Sequence, residues 1–191
     1  MSASSLIDRF VGRFDCCPWG TVAGRRALRD APPRPLYTAE ERRRRDASGW
    51  TTVQGVLAPV QFLVFLVSLT LVLHTLATGE GLAAATASVV LKTLTLYAIM
   101  VTGAIWEKQV FGRYLFAPAF FWEDAFSILV LALHTAYLAA VAAGWGSPRA
   151  QLLLALLAYA AYVINAAQFL VKLRAARLQA ARHDTRFGAA R

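Results

Sequence analysis

The sequence predicts an all-α integral membrane four-helix bundle with both termini in the cytoplasm. Three observations lead there. First, hydrophobic residues make up 58% of the 191 positions and charged residues only 16%, against about 45–50% and about 25% in an ordinary soluble domain. Second, the apolar residues gather into four runs, each long enough to cross a bilayer. Third, the positive charge, 20 Lys and Arg against 11 Asp and Glu, lies mostly outside those runs. A disordered chain would show the reverse balance of hydropathy and charge. Basic ends alone would also suit a nucleic-acid binder, but the long apolar middle needs a solvent of its own, and no nucleic-acid partner is expected.

Residues 1–35 form a basic extension that closes on the stiff segment Asp30-Ala-Pro-Pro-Arg-Pro35. It holds no apolar stretch of the kind a secretory signal needs. Its two cysteines, Cys16 and Cys17, are adjacent, which suits neither a disulfide framework nor a zinc site. The main domain is expected over 36–177, and a basic tail over 178–191.

The first span is expected at 53–77, which contains no Asp, Glu, Lys or Arg. The second, 82–105, is broken only by Lys92. The third runs over 125–143 and the fourth over 150–171. The first connection carries only Glu80 and the third only Arg149, whereas the second carries Lys108 and Arg113. Positively charged connections stay inside, which places the second connection and both basic termini in the cytoplasm. Trp50, Trp106, Trp122 and Trp145 all fall at span ends, where amphipathic rings favour the headgroup layer.

Polar residues within spans are costly and usually face the bundle interior. On the third span Glu123, Ser127, His134 and Tyr137 share one helical face, with His134 about 16 Å deeper than Glu123 at the helical rise. Gln54, Gln61 and Ser68 recur every seventh residue on the first span, and Tyr162, Asn165 and Gln168 every third on the fourth. Each has a plainer reading as well. Gln61 and Asn165 can simply bind helix to helix, His134 can be a satisfied interior residue, and Lys92 can snorkel or pair with a carboxylate. The adjacent Glu123 and Asp124 are harder to dismiss. Two neighbouring carboxylates at an apolar mouth disfavour each other's ionisation, so one is a candidate general acid. Just before them, GRYLFAPAFFWED is rich in aromatics and broken by Pro118. Such a segment suits either a large flat apolar ligand or an interfacial anchor.

Three long segments carry a resemblance: LYTAEERRRRDASGWTTVQGVLAPVQFLVF, LKTLTLYAIMVTGAIWEKQVFGRYLFAPAFFWEDAFS and YVINAAQFLVKLRAARL. Together they resemble the 3-vinyl (bacterio)chlorophyllide hydratase family of bacteriochlorophyll biosynthesis, from about Leu36 to Arg177. The resemblance implies a hydro-lyase that adds water across the C3-vinyl group of chlorophyllide a. It implies no redox cofactor. It also implies a multi-pass place in a bacterial inner or intracytoplasmic membrane, and contact with other enzymes of the same route. That chemistry needs an acid to protonate the terminal vinyl carbon, a group that orients water, and an apolar wall for the macrocycle. We expect Glu123 or Asp124 to be the acid and the other carboxylate, or Glu107, to position water. Trp122, Phe121, Tyr137, Gln54, Gln61 and Asn165 are the expected substrate-binding residues, with His134 a candidate axial ligand to the substrate's magnesium. The run Arg42 to Arg45 suits anionic lipid headgroups. A carrier that binds pigment without chemistry, and a small transporter, are the competing functional classes.

Overall fold

The computed structural model describes residues 36–188, with side chains through Arg174. The extension 1–35, with Cys16 and Cys17, lies outside the described residues, as do the side chains of the expected tail. Helix α1 (Ala39–Ala47) is followed by α2 (Gly49–Thr78), α3 (Leu82–Phe111), α4 (Phe121–Ala142) and α5 (Pro148–Gly188). No strand occurs among the described residues. Four of these helices, α2 to α5, are long and apolar enough to cross a membrane. The expected all-α four-span architecture is therefore present.

Helix α1 is a short polar helix that the hydropathy pattern does not announce. Thr38 and Glu41 cap it reciprocally, the Glu41 backbone N–H donating to Thr38 Oγ1 at 3.2 Å and the Thr38 N–H to Glu41 Oε2 at 2.7 Å. This satisfies two N–H groups that a helix start otherwise leaves free. Glu40 in its first turn meets Arg43 and Arg44 on the next, which are exposed pairs of small energetic weight.

The spanning helices bury narrow seams. In α2 the buried residues are Gln61, Phe65, Ser68, Val72 and Thr75, alternating by four and three, as knobs-into-holes packing requires. Pro59 removes one ladder bond within α2, a defect that spanning helices tolerate. Helix α2 packs chiefly on α3, and α4 on α5, giving two helical hairpins joined across the bundle. The core gathers Phe65, Val72, Val89, Leu96, Val130, Tyr137 and Tyr159.

Glu107 and the Glu123–Asp124 pair sit on helix rather than in a loop. Helix α3 continues to Phe111 and α4 begins at Phe121, so the connection expected over 106–124 shrinks to 112–120. The physical reason is capping. Gly112 adopts a left-handed φ of 79° and closes α3 through its N–H to the Lys108 carbonyl, while the Phe120 carbonyl accepts from Asp124 N–H at 3.0 Å. Polar residues at these ends cost nothing to helix formation once their backbone bonds are made.

Candidate functional site

The starts of α2 and α4 and the Phe111 end of α3 meet at one end of the bundle, together with the later part of α5. There the ends of α3 and α4 bring the carboxyl groups of Glu107 and Asp124 against each other. Two carboxyl groups in contact can share one proton. Glu107 is 5% exposed and Asp124 5%. The connection 112–120 is folded onto this pair. The Phe116 backbone N–H donates to Asp124 Oδ2 at 2.7 Å and the Ala117 N–H to Glu107 Oε2 at 3.4 Å. Phe116 pays for its bond with a φ of 58°, a left-handed conformation that a bulky residue rarely adopts.

Glu123 stands beside Asp124 in the first turn of α4, where the helix N-terminus favours negative charge. It is 1% exposed, and Lys172 of α5 donates to its Oε2 at 2.6 Å. The same ammonium donates to the Ala119 carbonyl. Three carboxyl groups and one ammonium thus share the site. Their charges act on one another: Asp124 senses both Glu123 and Lys172.

Aromatic residues surround this polar centre. Tyr37 stacks on Phe111 at 5.8 Å, and Trp106, Phe111 and Phe120 meet edge to face. Trp106 Nε1 donates to Thr51 Oγ1 at 2.9 Å, tying α3 to the start of α2. On the outer side Phe116 lies against Phe121 at 5.4 Å, and Phe121 against Trp122 at 5.7 Å. Phe116 and Tyr114 remain exposed, so this end presents open aromatic surface beside buried carboxylates.

The structure brings together Glu107, Glu123 and Asp124, with Phe121 and Trp122 at their edge. Asn165 lies one turn inward, donating to Ser127 Oγ at 2.9 Å. Gln54 reaches across to Thr102 Oγ1 at 2.7 Å, a helix-to-helix link between α2 and α3. Gln61 is buried on the inner face of α2.

His134 and Tyr137 belong to a second, deeper cluster. His134 is fully buried, and its Nδ1 donates to the Val130 carbonyl at 2.8 Å. A carbonyl can only accept, so Nδ1 carries the hydrogen and Nε2 the lone pair, and Nε2 has no hydrogen-bond partner. Its ring rests 5.7 Å from Tyr159. Lys92, also fully buried, pairs with no carboxylate among the described residues; its Nζ lies 3.6 Å over the Tyr162 ring, within the range of a cation–π contact. Tyr159 in turn is bound to Ser68 at 2.5 Å.

Sequence reasoning missed Lys172 and Phe116. Lys172 had a signal: it continues the stripe of Tyr162, Asn165 and Gln168 by one more turn, yet its place at a basic chain end reads as headgroup charge. Phe116 had none, because its role is carried by its backbone.

Among the described residues no cluster of three or more His, Cys, Asp or Glu is arranged to hold a metal ion. No solved structure matches the chain. The family model described as 2-vinyl bacteriochlorophyllide hydratase matches residues 37–175. A protein of Cereibacter sphaeroides named 2-vinyl bacteriochlorophyllide hydratase is 69% identical over 149 residues, which cover 78% of this chain and 92% of that one. Its namesake from Rhodobacter capsulatus is 67% identical over 149 residues, covering 78% of this chain and 86% of its own. The match runs through α1 and all four spans and takes in every carboxylate of the site, and on this ground the chain belongs to the 2-vinyl bacteriochlorophyllide hydratase family.

Proposed function

We propose that this chain hydrates the vinyl group of a chlorophyllide-type substrate in bacteriochlorophyll biosynthesis, and that the carboxylates at the end of the bundle perform the chemistry. The vinyl group is the one at C3, numbered 2 in the older tetrapyrrole scheme. The observation that carries the site is the meeting of Glu107 and Asp124 beside the Glu123–Lys172 ion pair, at the foot of an exposed aromatic connection.

The reaction balances on these groups. The proton between Glu107 and Asp124 passes to the terminal vinyl carbon, and the π electrons form the new C–H bond. The positive charge falls on the carbon next to the ring and spreads into the macrocycle. Glu123, paired with Lys172, lies close to Asp124 and offsets that charge; preorganised charge of this kind is commonly the largest contribution to catalysis. Water oriented by Glu123 attacks the cationic carbon, and its surplus proton returns to the carboxyl pair. The net change is one water added, with no electron transferred.

Phe116, Phe121 and Trp122 form the apolar wall on which the macrocycle rests. Bond lengths put the terminal vinyl carbon about 7 Å from the central magnesium. His134 lies about 16 Å from Glu123 along α4 at the helical rise. One macrocycle would meet both only with the Glu123 and His134 side chains extended along the helix between them. We place the vinyl at the carboxylates; the axial-ligand role for His134 is the alternative.

The site faces the cytoplasm in this reading. Arg42 to Arg45, Lys108, Arg113 and Lys172 all belong to segments at its end of the bundle, and positive charge is retained on that side. With four spans both termini then lie in the cytoplasm, in an inner or intracytoplasmic membrane, with α1 against anionic headgroups and neighbouring enzymes of the route within reach.

The test is expression of the chain in a host that lacks the pathway, with chlorophyllide a supplied to its membranes. We expect the pigment to gain the mass of one water and its red band to shift to the blue as vinyl conjugation is lost. Pigment bound but chemically unchanged by folded protein would overturn the enzymatic reading in favour of a carrier.

A further inference from the structure

A lysine near the end of a spanning helix ordinarily extends outward to the headgroups. Lys172 turns inward: its side chain is only 15% exposed. Its ammonium donates to Glu123 Oε2 at 2.6 Å and to the Ala119 carbonyl, and lies 4.9 Å from the Phe120 ring. We infer that Lys172 is a positioning residue for the hydration, fixing the Glu123 carboxylate and the aromatic connection in one arrangement. This rests on the carboxylate cluster being the reaction site.

The geometry ties the connection down from both sides. Its Phe116 and Ala117 N–H groups are bound by Asp124 and Glu107, and its Ala119 carbonyl is bound by Lys172. Phe169, one turn before Lys172 on α5, stacks on Phe120 at 6.1 Å with the rings 24° apart. Helix α5 thereby sets where the aromatic wall stands relative to the acids. An exposed lysine–carboxylate pair would carry little weight. Here the carboxylate is almost wholly enclosed, and losing the Lys172 ammonium would leave a buried charge uncompensated. With Glu123 matched by Lys172, the proton between Glu107 and Asp124 is the one available to the vinyl carbon. Lys172 touches neither that proton nor the macrocycle; it acts through Glu123 and Ala119.

The experiment measures chlorophyllide a hydration by the full chain in membranes for Lys172→Met, Lys172→Arg, Glu123→Gln, the Lys172→Met/Glu123→Gln double variant and Asp124→Asn. We expect Lys172→Met to lower kcat by about 10- to 100-fold through misplacement while KM moves by less than about threefold, because the macrocycle's wall is retained. Lys172→Arg, which keeps charge and donors, should recover most of kcat. The double variant should be no slower than the slower single, since the two residues act as one unit. Ethylamine added to Lys172→Ala should restore part of the rate, and ethanol should not. Should Lys172→Met fail to fold, this last arm carries the test, with absence of amine rescue counting against the role. A folded Lys172→Met with unaltered kcat, or losses in the double variant that simply multiply, overturns the inference while Asp124→Asn remains impaired. An Asp124→Asn variant that hydrates normally overturns the site itself, whatever Lys172 does.

Discussion

Glu107 and Asp124 stand at opposite ends of one aromatic connection and meet carboxyl to carboxyl. The connection does not merely link them. Its own N–H groups, from Ala117 and Phe116, bind the two acids in turn, so the segment that closes α3 to α4 is also the frame of the pair. In the proposed reaction the two acids of this pair share one proton between them.

Either member of the pair should then be indispensable to hydration. Glu107→Gln and Asp124→Asn keep shape and hydrogen bonding but remove the ionisable proton. Each should lower kcat by about 100-fold or more, the scale of lost general acid–base catalysis, with pigment affinity little changed. Absorbance-detected turnover in membranes checks this. Full activity in both variants would sink the assignment.

Phe116 joins two roles that substitution can separate. Its side chain contributes to the aromatic wall, and its backbone holds a φ of 58°. Phe116→Ala removes the ring but keeps the strain; Phe116→Gly removes both, because glycine adopts that conformation freely. Glycine should therefore be the more stable of the two by about 1 kcal/mol. Both should show raised KM. Thermal unfolding in detergent and initial rates decide it, and alanine as the more stable variant would contradict the backbone account.

The spans were readable because a bilayer imposes a length and an apolar content that a sequence must meet. The face of α4 was readable too. Glu123, Ser127, His134 and Tyr137 follow the helical period, and all four are buried. What escaped was set by backbone and by contact across the bundle. The extension of α3 to Phe111 depends on the left-handed Gly112. The inward turn of Lys172 depends on where Glu123 and Ala119 stand, and periodicity alone cannot tell an inward lysine from one that reaches the headgroups. The meeting of Glu107 with Asp124 needed the fold of residues 112–120, in which Pro118 signals only an interruption.

Lys92 presents the opposite case to Lys172. It is enclosed in the bundle with no hydrogen-bond partner, over the ring of Tyr162. A buried amine compensated only by a ring face costs more than an apolar side chain of the same shape. Lys92→Met should therefore raise thermal stability, by about 1 kcal/mol or more. It lies about 22 Å along α3 from Glu107 at the helical rise, so hydration should continue within about twofold, given how weakly distant sites couple. A destabilised Lys92→Met variant would mean that the cation–π contact outweighs the desolvation of the amine.

His134 decides how deep the pigment sits. Its bare Nε2 is chemically fit to bind the magnesium of a chlorophyllide, since Nδ1 is fixed as the donor to Val130. Yet no part of the residue is exposed, and it lies about 16 Å along α4 from Glu123 at the helical rise. With the vinyl at the carboxylates, His134→Ala should leave pigment affinity unaltered within about twofold, while the cavity lowers thermal stability by about 2 kcal/mol or more. Fluorescence titration with chlorophyllide a separates the two effects. A tenfold or greater loss of affinity in folded protein would instead seat the macrocycle in the core, between α4 and α5.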